Sequence, residues 1–260
     1  MQKIREGDQT ERKHTCPDWF CFGLDLIFPP VCCFCQKVCR PVRPYPGICR
    51  NCLSKLPLRF GTERQLDRLP LQTGQKLYLS AVLCAAYYQS PIREALLRQK
   101  FADSPEMSVA LGSLLVPLIK HLSPRPSAVA AVPLHEERLR ERGYNQAGLL
   151  AEQVSQRTGL ANLSPGLIRT RKTLRQSEVP DRQARQANVD GAFSLDTQYT
   201  EDWLIQNPME NRHIVLIDDV LTTGATIEAA AQPLAQAGFR VTGLVVASDQ
   251  GFLIGKKKTN

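Results

Sequence analysis

From residue 78 onward, hydrophobic residues form two kinds of pattern. Short uninterrupted apolar runs predict buried strands at residues 78–88, 128–132, 214–217 and 241–247. Between them, apolar residues at helical spacing predict helices at residues 91–101, 107–121 and 225–237, with a further one inside 141–157. Strands of this kind that alternate with helices predict an α/β fold, a parallel sheet covered on both faces. Cys84 lies in the first strand and is predicted to be a core residue.

Changes in composition along the chain predict four segments. Residues 1–27 are polar, so we expect an extension outside the folded core. Residues 28–56 are rich in Cys, Pro and Arg and show little helical period. Residues 57–77 lack a strong pattern and are predicted to form a linker. Residues 78–260 carry the strands and helices of the α/β domain.

The overall composition narrows the class of protein. Of the 260 residues 43% are hydrophobic, which is enough for a sizeable core. No apolar run approaches the roughly 18 residues of a membrane span, and the N-terminus does not resemble a signal peptide. We therefore expect a cytoplasmic protein without membrane insertion. The net charge of +8 favours an anionic partner such as nucleic acid or a phosphorylated sugar, although an arginine-rich surface alone also accounts for it.

Eight of the nine cysteines lie within the first 52 residues. An odd number of cysteines without a secretory signal argues against a disulfide framework and favours metal ligands. Cys32-x2-Cys35 and Cys49-x2-Cys52, separated by 13 residues, resemble the two knuckles of a four-cysteine zinc ribbon that holds structural Zn²⁺. Cys39 is an alternative ligand in place of Cys35. The sequence leaves open the roles of three other cysteines: Cys16, Cys21 and Cys33.

The strongest local signal is the polar segment that follows the strand at residues 214–217 and precedes a helix. Ligands of open α/β sheets bind beyond the carboxyl ends of the strands, and the free N–H groups at a helix N-terminus favour an anion. Gly224 permits close approach of the backbone, while the acids suit a sugar diol or, through water, Mg²⁺. An acidic strand end with a threonine cap is the alternative without a ligand. The candidate residues are Asp218, Asp219, Val220, Leu221, Thr222, Thr223, Gly224, Ala225 and Thr226.

This segment resembles the signature that binds phosphoribosyl pyrophosphate (PRPP) in type I phosphoribosyltransferases. The resemblance implies that Asp218 and Asp219 hold the ribose hydroxyls and that residues 222–226 surround the 5-phosphate. It also implies that Mg²⁺ accompanies PRPP. The expected fold is therefore a type I phosphoribosyltransferase-like parallel sheet flanked by helices and preceded by the zinc ribbon.

Two further polar segments are candidates for contacts with phosphate. The first follows the strand at 128–132 and corresponds to the loop that contacts pyrophosphate in the type I fold; acidic neighbours that neutralise its arginines offer the alternative of a solvated helix start. Its candidate residues are Arg138, Arg142, Asn145 and Gln146. The second, residues 168–186, has six Lys/Arg against two Asp/Glu. It is predicted to be a mobile basic loop that closes over a ligand or follows a nucleic-acid backbone, or else a plain surface loop. Its candidate residues are Arg171, Thr173, Arg175, Gln176 and Arg182.

Together these motifs resemble the ComF/GntX family of bacterial competence-associated proteins. The resemblance rests on the CxxC pair, PLHEERLRERGYNQA, the R–T–Q–R–N–GAF succession and LIDDVLTTGATIEA, and it covers about residues 28–250. It implies a protein that binds a 5-phosphoribosyl ligand and assists the uptake or handling of transforming single-stranded DNA. Single-stranded DNA and the competence helicase machinery are the partners that it implies.

Two other functions remain open at this point: an active phosphoribosyltransferase with an unidentified acceptor, and a sensor of a phosphoribosyl ligand. In purine enzymes of this fold an acidic residue in the PRPP loop assists deprotonation of the base, and Thr222 stands at that place here. A C-terminal segment that covers the base is not expected, because about 13 residues follow the last predicted strand. No catalytic residue is therefore assigned.

Overall fold

A computed structural model of the chain describes residues 29–59, 78–101, 104–173, 182–208 and 212–248. Its centre is a five-stranded sheet. The strands are β1 (Leu79–Tyr87), β2 (Ala128–Ala131), β3 (Ala161–Asn162), β6 (His213–Leu221) and β7 (Arg240–Ser248). Their order is β1-β7-β6-β2-β3, and every neighbouring pair is parallel. The predicted parallel sheet is confirmed.

Both faces of the sheet are buried. Val215 and Ile217 pack into one hydrophobic cluster, whereas Ile214 and Leu216 pack into the other. Because successive residues of a strand point to opposite faces, a strand covered on both sides has to be apolar at every position. Cys84 is 5% exposed and lies in the second cluster, which confirms it as a core residue.

Helices supply the two covering layers. One layer packs side chains such as Ile92, Leu111 and Leu150 against the first cluster, and the other packs Ile227 and Leu234 against the second. The helices are α1 (Arg50–Leu53), α2 (Ile92–Phe101), α3 (Met107–Ile119), α4 (Glu136–Arg142), α5 (Gln146–Thr158), α6 (Arg182–Val189), α7 (Thr197–Gln206) and α8 (Ala225–Gln236).

Helix α4 replaces the loop that the sequence predicted after β2. Its N-cap His135 accepts the backbone N–H of Glu137 through Nδ1 at 3.4 Å, and Gly143 ends it with a φ of 76°. Acidic Glu136 lies in the first turn and basic Arg142 in the last, as the helix dipole favours. None of its residues is buried, so no apolar period marks it in the sequence.

Strand β6 is longer than the apolar run that predicted it. It continues to Leu221 because β7 lies beside it throughout, with Leu221 opposite Ser248. Asp218 and Asp219 are therefore strand residues rather than the start of a loop, and each is half-buried. Sheet pairing thus holds the backbone of both acids.

A small two-stranded antiparallel sheet flanks the predicted basic loop. Strand β4 (Leu167–Arg169) pairs with β5 (Phe193–Leu195), and α6 lies between them along the chain. Residues 174–181 of the loop lie outside the described residues, so its predicted mobility stays a prediction.

The cysteine-rich segment shares the core of the α/β domain. Ile48 is fully buried in the first cluster, and Cys33 Sγ lies 3.9 Å from the carbonyl oxygen of Glu106. Residues 57–59, at the start of the predicted linker, pair with the end of β1, and the N–H of Arg59 donates to the carbonyl of Ala85 at 2.8 Å. An edge strand gains partners for its backbone in this way.

Residues 1–28 and 60–77 lie outside the described part of the chain. The predicted segment limits at 27, 56 and 77 therefore stay predictions. None of the described helices combines the length and the apolar character that crossing a membrane requires.

Candidate functional site

The turn between β6 and α8 brings a helix N-terminus to the carboxyl edge of the sheet. Gly224 is the N-cap of α8 and has a φ of 85°, a conformation that glycine adopts at little cost. Thr223 is half-buried, and its Oγ1 accepts the N–H of Ala225 at 3.4 Å. Thr222 is exposed and Thr226 is half-buried. Hydroxyls and helix N–H groups thus meet at one turn, which can bind a phosphate.

The two acids lie immediately before this turn. Asp218 Oδ1 accepts the N–H of Asp219 at 2.9 Å, and Asp219 Oδ1 accepts the N–H of Val220 at 2.7 Å. Burial, reinforced by repulsion from Asp219, raises the pKa of Asp218 from 3.8 to about 7. The side chain of Leu221 is 2% exposed and lies in the core, so Leu221 offers only its backbone to a ligand.

Lys100, at the end of α2, makes an ion pair with this acid pair. Its Nζ lies 2.5 Å from Asp219 Oδ2. Burial lowers the pKa of Lys100, but attraction by Asp219 and Asp218 outweighs burial, so its pKa lies above its usual value. Lys100 therefore stays an ammonium ion and partly neutralises the carboxylates.

The predicted pyrophosphate loop is held by its own side chains. Asn145 Nδ2 donates to the carbonyl of Val132 at 3.1 Å, which fixes the start of α5 to the end of β2. Arg142 Nη1 donates to Gln146 Oε1 at 3.1 Å. Gln146 is 3% exposed, and its Nε2 has no partner among the described residues.

Two arginines donate to Thr173, and one of them, Arg169, also interacts electrostatically with Asp218. Arg138 Nη2 donates to the Thr173 carbonyl at 2.8 Å, and Arg169 Nη2 donates to the Thr173 hydroxyl. Arg169 is 8% exposed, its guanidinium carbon lies 5.2 Å from the ring centre of Phe193, and its Nε has no partner in the described residues. Burial lowers the pKa of Arg169 to about 10, with further contributions from Arg138 and Arg171, while Asp218 opposes the shift.

The other predicted residues of the basic loop fall into two groups. Arg171 donates through Nη2 to the carbonyls of Asn188 at 3.2 Å and Asp190 at 2.6 Å, which ties the start of the loop to the end of α6. The backbone of Arg182 begins α6. Two candidates, Arg175 and Gln176, lie outside the described residues.

Four cysteines converge in the ribbon at the ends of its two knuckles. The sulfurs of Cys32, Cys35, Cys49 and Cys52 all lie within 4.8 Å of one another, and those of Cys35 and Cys49 are 3.9 Å apart. A tetrahedral site with Zn–S bonds of about 2.3 Å separates its sulfurs by about 3.8 Å. This set, without the alternative Cys39, therefore fits a metal ion such as zinc.

The polar surroundings of the sulfurs also fit a metal centre. The N–H of Cys49 donates to Cys32 Sγ at 3.5 Å, and the N–H of Cys52 donates to Cys49 Sγ at 3.4 Å. Burial raises the pKa of Cys32, but backbone N–H groups outweigh it and lower the pKa to about 6. Burial and the neighbouring sulfurs raise the pKa of Cys52. A divalent cation would favour the thiolate form of all four.

Known proteins with similar sequences carry names linked to DNA and competence. The DNA utilization protein YhgH of Escherichia coli (strain K12) is 31% identical over 227 residues, 85% of this chain and 91% of the relative. The chain belongs to the ComF/GntX family. Competence protein F of Haemophilus influenzae is 28% identical over 83% of this chain and 89% of its own length. Competence protein ComFC of Bacillus subtilis is 28% identical over 74% of this chain and 68% of its own length.

For this ComF/GntX protein, two other comparisons concern family models and solved structures. No protein-family model matches the chain. The crystal structure of adenine phosphoribosyltransferase from Leishmania tarentolae aligns with a TM-score of 0.33 at 14% identity, covering 65% of this chain and 91% of that one.

Sequence reasoning missed two charged residues of the site in this ComF/GntX chain. Lys100 ends a helix, a place where solvated lysines are common, and nothing local connects it with Asp219, which follows more than a hundred residues later. Arg169 lies on the same face of β4 as buried Leu167, opposite exposed Ile168. Because Leu167 and Ile168 are both apolar, the sequence alone did not show which face of β4 is buried.

Proposed function

We propose that the chain binds a 5-phosphoribosyl ligand, PRPP together with Mg²⁺, at the carboxyl edge of its sheet, and that it assists the handling of single-stranded DNA in competence. Its relatives are named for DNA utilization and competence. Binding of the sugar-phosphate and contact with DNA involve different surfaces of the protein.

One observation carries the ligand proposal: an acid pair held by strand pairing leads directly into a helix N-terminus capped by left-handed Gly224. The acids accept hydrogen bonds and suit the two ribose hydroxyls. The turn at residues 222–226 supplies hydroxyl and N–H donors to a phosphate. A ribose 5-phosphate group presents a diol and a phosphate, so one ligand matches both parts of the site.

The arginines around Thr173 extend the site towards a second phosphate group. Arg169 keeps its charge although it is buried, and it has no carboxylate ion pair among the described residues. A buried cation is costly without a close anionic partner, and Asp218 attracts Arg169 without forming an ion pair with it. Phosphate oxygens would supply that partner and would accept the N–H of Arg169 Nε. A ligand that carries a pyrophosphate next to its ribose is therefore favoured over a sugar monophosphate alone.

The ribbon supports the proposal of a DNA contact. Residues 29–59 contain no Asp or Glu. Their six basic residues are Lys37, Arg40, Arg43, Arg50, Lys55 and Arg59, and all but the last are exposed. A surface of one charge sign attracts the phosphate backbone of nucleic acid without reading its sequence. The described part of the ribbon offers few exposed aromatic side chains, so backbone contact is favoured over base stacking.

The proposed ligand binding is tested by calorimetric titration of the protein with PRPP in the presence of Mg²⁺. The wild type is expected to bind, and a double variant Asp218→Asn with Asp219→Asn is expected to lose binding, because each amide offers one neutral acceptor oxygen in place of two charged ones and adds an NH₂ donor towards the diol. Equal binding by the two proteins would remove the proposed role of the acids. Release of pyrophosphate during the titration would indicate an active transferase, and binding without turnover or DNA affinity would indicate a sensor.

The proposed DNA contact is tested by fluorescence anisotropy with a labelled single-stranded oligonucleotide across a salt series. Lys37→Gln with Arg40→Gln should weaken binding and reduce the slope of log K against log salt by roughly 0.7 for each phosphate that the variant no longer neutralises. The matched control is Lys120→Gln with Arg125→Gln, which removes the same charge from exposed positions outside the ribbon sequence. An equal weakening of binding by both pairs would mean that the ribbon has no specific part in binding.

A further inference from the structure

The last turn of α2 contacts three separate parts of the molecule. Arg98 Nη2 donates to the carbonyl of Phe34, which lies in the first cysteine knuckle, at 3.5 Å. The carbonyl of Gln99 accepts the hydroxyl of Tyr144, in the predicted pyrophosphate loop, at 2.5 Å. The next residue, Lys100, pairs with Asp219. The position of Lys100 is therefore set by the ribbon and the loop as well as by its own helix.

The ion pair between Lys100 and Asp219 differs from a surface salt bridge. The side chain of Lys100 is 24% exposed and that of Asp219 is 14% exposed. The pair of Lys172 with Glu137, by contrast, has side chains that are 67% and 44% exposed. Screening by solvent makes exposed pairs weak, whereas a partly buried pair retains more of its attraction. Lys100 is thus placed to control the charge and orientation of Asp219.

Two carboxylates that share a site repel each other and raise the pKa of one of them, and a nearby cation opposes this effect. Here Asp219 Oδ1 accepts the N–H of Val220, while Oδ2 faces the ammonium group of Lys100. A divalent cation that approached Oδ2 would meet the repulsion of this ammonium. The positive charge that many acid pairs obtain from a metal is in this chain supplied by a side chain.

We infer that Lys100 is the resident cation of the acid pair, a positioning residue that holds Asp219 ready for a ribose diol and makes binding of a sugar 5-phosphate independent of Mg²⁺. This inference rests on the proposed function, because it names how the same site is neutralised. Mg²⁺ then serves the pyrophosphate group of PRPP and not the acids.

The test is calorimetric titration with ribose 5-phosphate, which has the diol and the 5-phosphate but no pyrophosphate. It uses the full chain in magnesium-free buffer without a chelator, so that a metal in the ribbon is retained, and again with added Mg²⁺. The wild type should bind with the same affinity in both buffers. Lys100→Met should bind at least tenfold more weakly without Mg²⁺ and should recover part of the loss when Mg²⁺ is added.

Two further variants separate positioning from general damage. Lys100→Arg keeps the positive charge and should bind within a few-fold of the wild type in both buffers. Lys120→Met removes an exposed lysine at the end of α3 and should bind as the wild type does. Thermal unfolding by circular dichroism checks that each variant is folded. If Lys100→Met does not fold, the effect of Mg²⁺ on the wild type and on Lys100→Arg decides the question.

The outcomes distinguish this inference from the proposed function. A wild type that binds no ribose 5-phosphate and no PRPP overturns both. A wild type that binds ribose 5-phosphate only when Mg²⁺ is present overturns the role of Lys100 and leaves the ligand proposal intact. The same conclusion follows if folded Lys100→Met binds as tightly as the wild type in magnesium-free buffer.

Discussion

The substitution Asp218→Asn should stabilise the fold and at the same time abolish ligand binding. Asp218 is half-buried beside Asp219, and burial together with that neighbour raises its pKa to about 7. The amide has no charge to bury, and its Oδ1 can still accept the N–H that Asp219 donates at 2.9 Å. The variant therefore removes the unfavourable ionisation while it keeps the local hydrogen bond.

The size of the effect follows from the pKa shift. A rise from 3.8 to about 7 corresponds to about 4 kcal/mol, at about 1.4 kcal/mol for each pKa unit. The folded protein holds this proton more tightly than the unfolded chain, so the stability it contributes is complete below pH 3.8 and is lost as the pH rises through 7. Because the charges of Asp219 and Lys100 also act on Asp218, we expect a gain of about 2–4 kcal/mol for the variant.

Urea unfolding of the wild type and Asp218→Asn at several pH values between about 4 and 8.5 measures this gain. The free energy of unfolding of the variant, relative to the wild type, should grow from about pH 4 to pH 7 and then level off. Asp190→Asn, at an exposed position, is the matched control and should show no pH-dependent difference. A gain that is the same at every pH, or a variant less stable than the wild type at pH 8, would refute the reasoning.

Three further predictions test other parts of the molecule. Cys49→Ser should lose the bound metal, expected as one zinc per chain by elemental analysis, because it removes one of four sulfurs. Arg169→Met should change the free energy of unfolding by less than about 1 kcal/mol, because the lost ion is buried and its Nε unpaired, but should weaken pyrophosphate binding at least tenfold by calorimetry. Gly243→Ala should cost about 1–3 kcal/mol in urea unfolding, since a Cβ there would lie 3.0 Å from Val82 Cγ2 and 3.1 Å from Ile227 Cδ1.

Each of these predictions has its own control. Cys39→Ser should keep the metal, because Cys39 lies outside the four-sulfur group. Loss of the metal in this variant would mean that Cys39 is one of the ligands. Arg169→Lys is the control that keeps the positive charge. Equal pyrophosphate binding by Arg169→Met and the wild type would exclude a phosphate contact. Gly143→Ala has open space around its Cβ, and its cost should come from the φ of 76° alone. A Gly243→Ala variant as stable as the wild type would show that Val82 and Ile227 move aside freely.

Short segments of sequence predicted the parts of this protein that depend on neighbouring residues. The run at residues 214–226 contains its strand, its acids and its turn within a few residues, so its pattern indicates an α/β phosphate turn. The CxxC knuckles likewise hold both members of each pair in one tight turn. The strand–turn–helix order and the convergence of the four sulfurs are confirmed, because both are built within a few bonds of backbone; phosphate binding at the turn stays a prediction.

Elements stabilised by electrostatics or by distant pairing were harder to predict. Helix α4 has no buried residue, and its caps and charge arrangement, rather than an apolar period, define it. The last residues of β6 are partly polar, and they are strand because β7 continues beside them to Ser248. Residues 57–59 resemble a linker in composition but pair with β1. In each case the pattern of hydrophobic residues within the segment does not reveal the partner that stabilises it.

The sequence by itself determined the parallel sheet, the turn with its two acids between strand and helix, and the group of four cysteines, because periodicity and short-range spacing specify them. Only the tertiary structure decided which cations accompany the acids. Lys100 comes from helix α2 and Arg169 from strand β4. Packing of α2 and β4 against the sheet brings Lys100 to Asp219 and Arg169 to Asp218. Such contacts depend on the relative placement of distant elements, which burial of the shared core sets and no local pattern encodes.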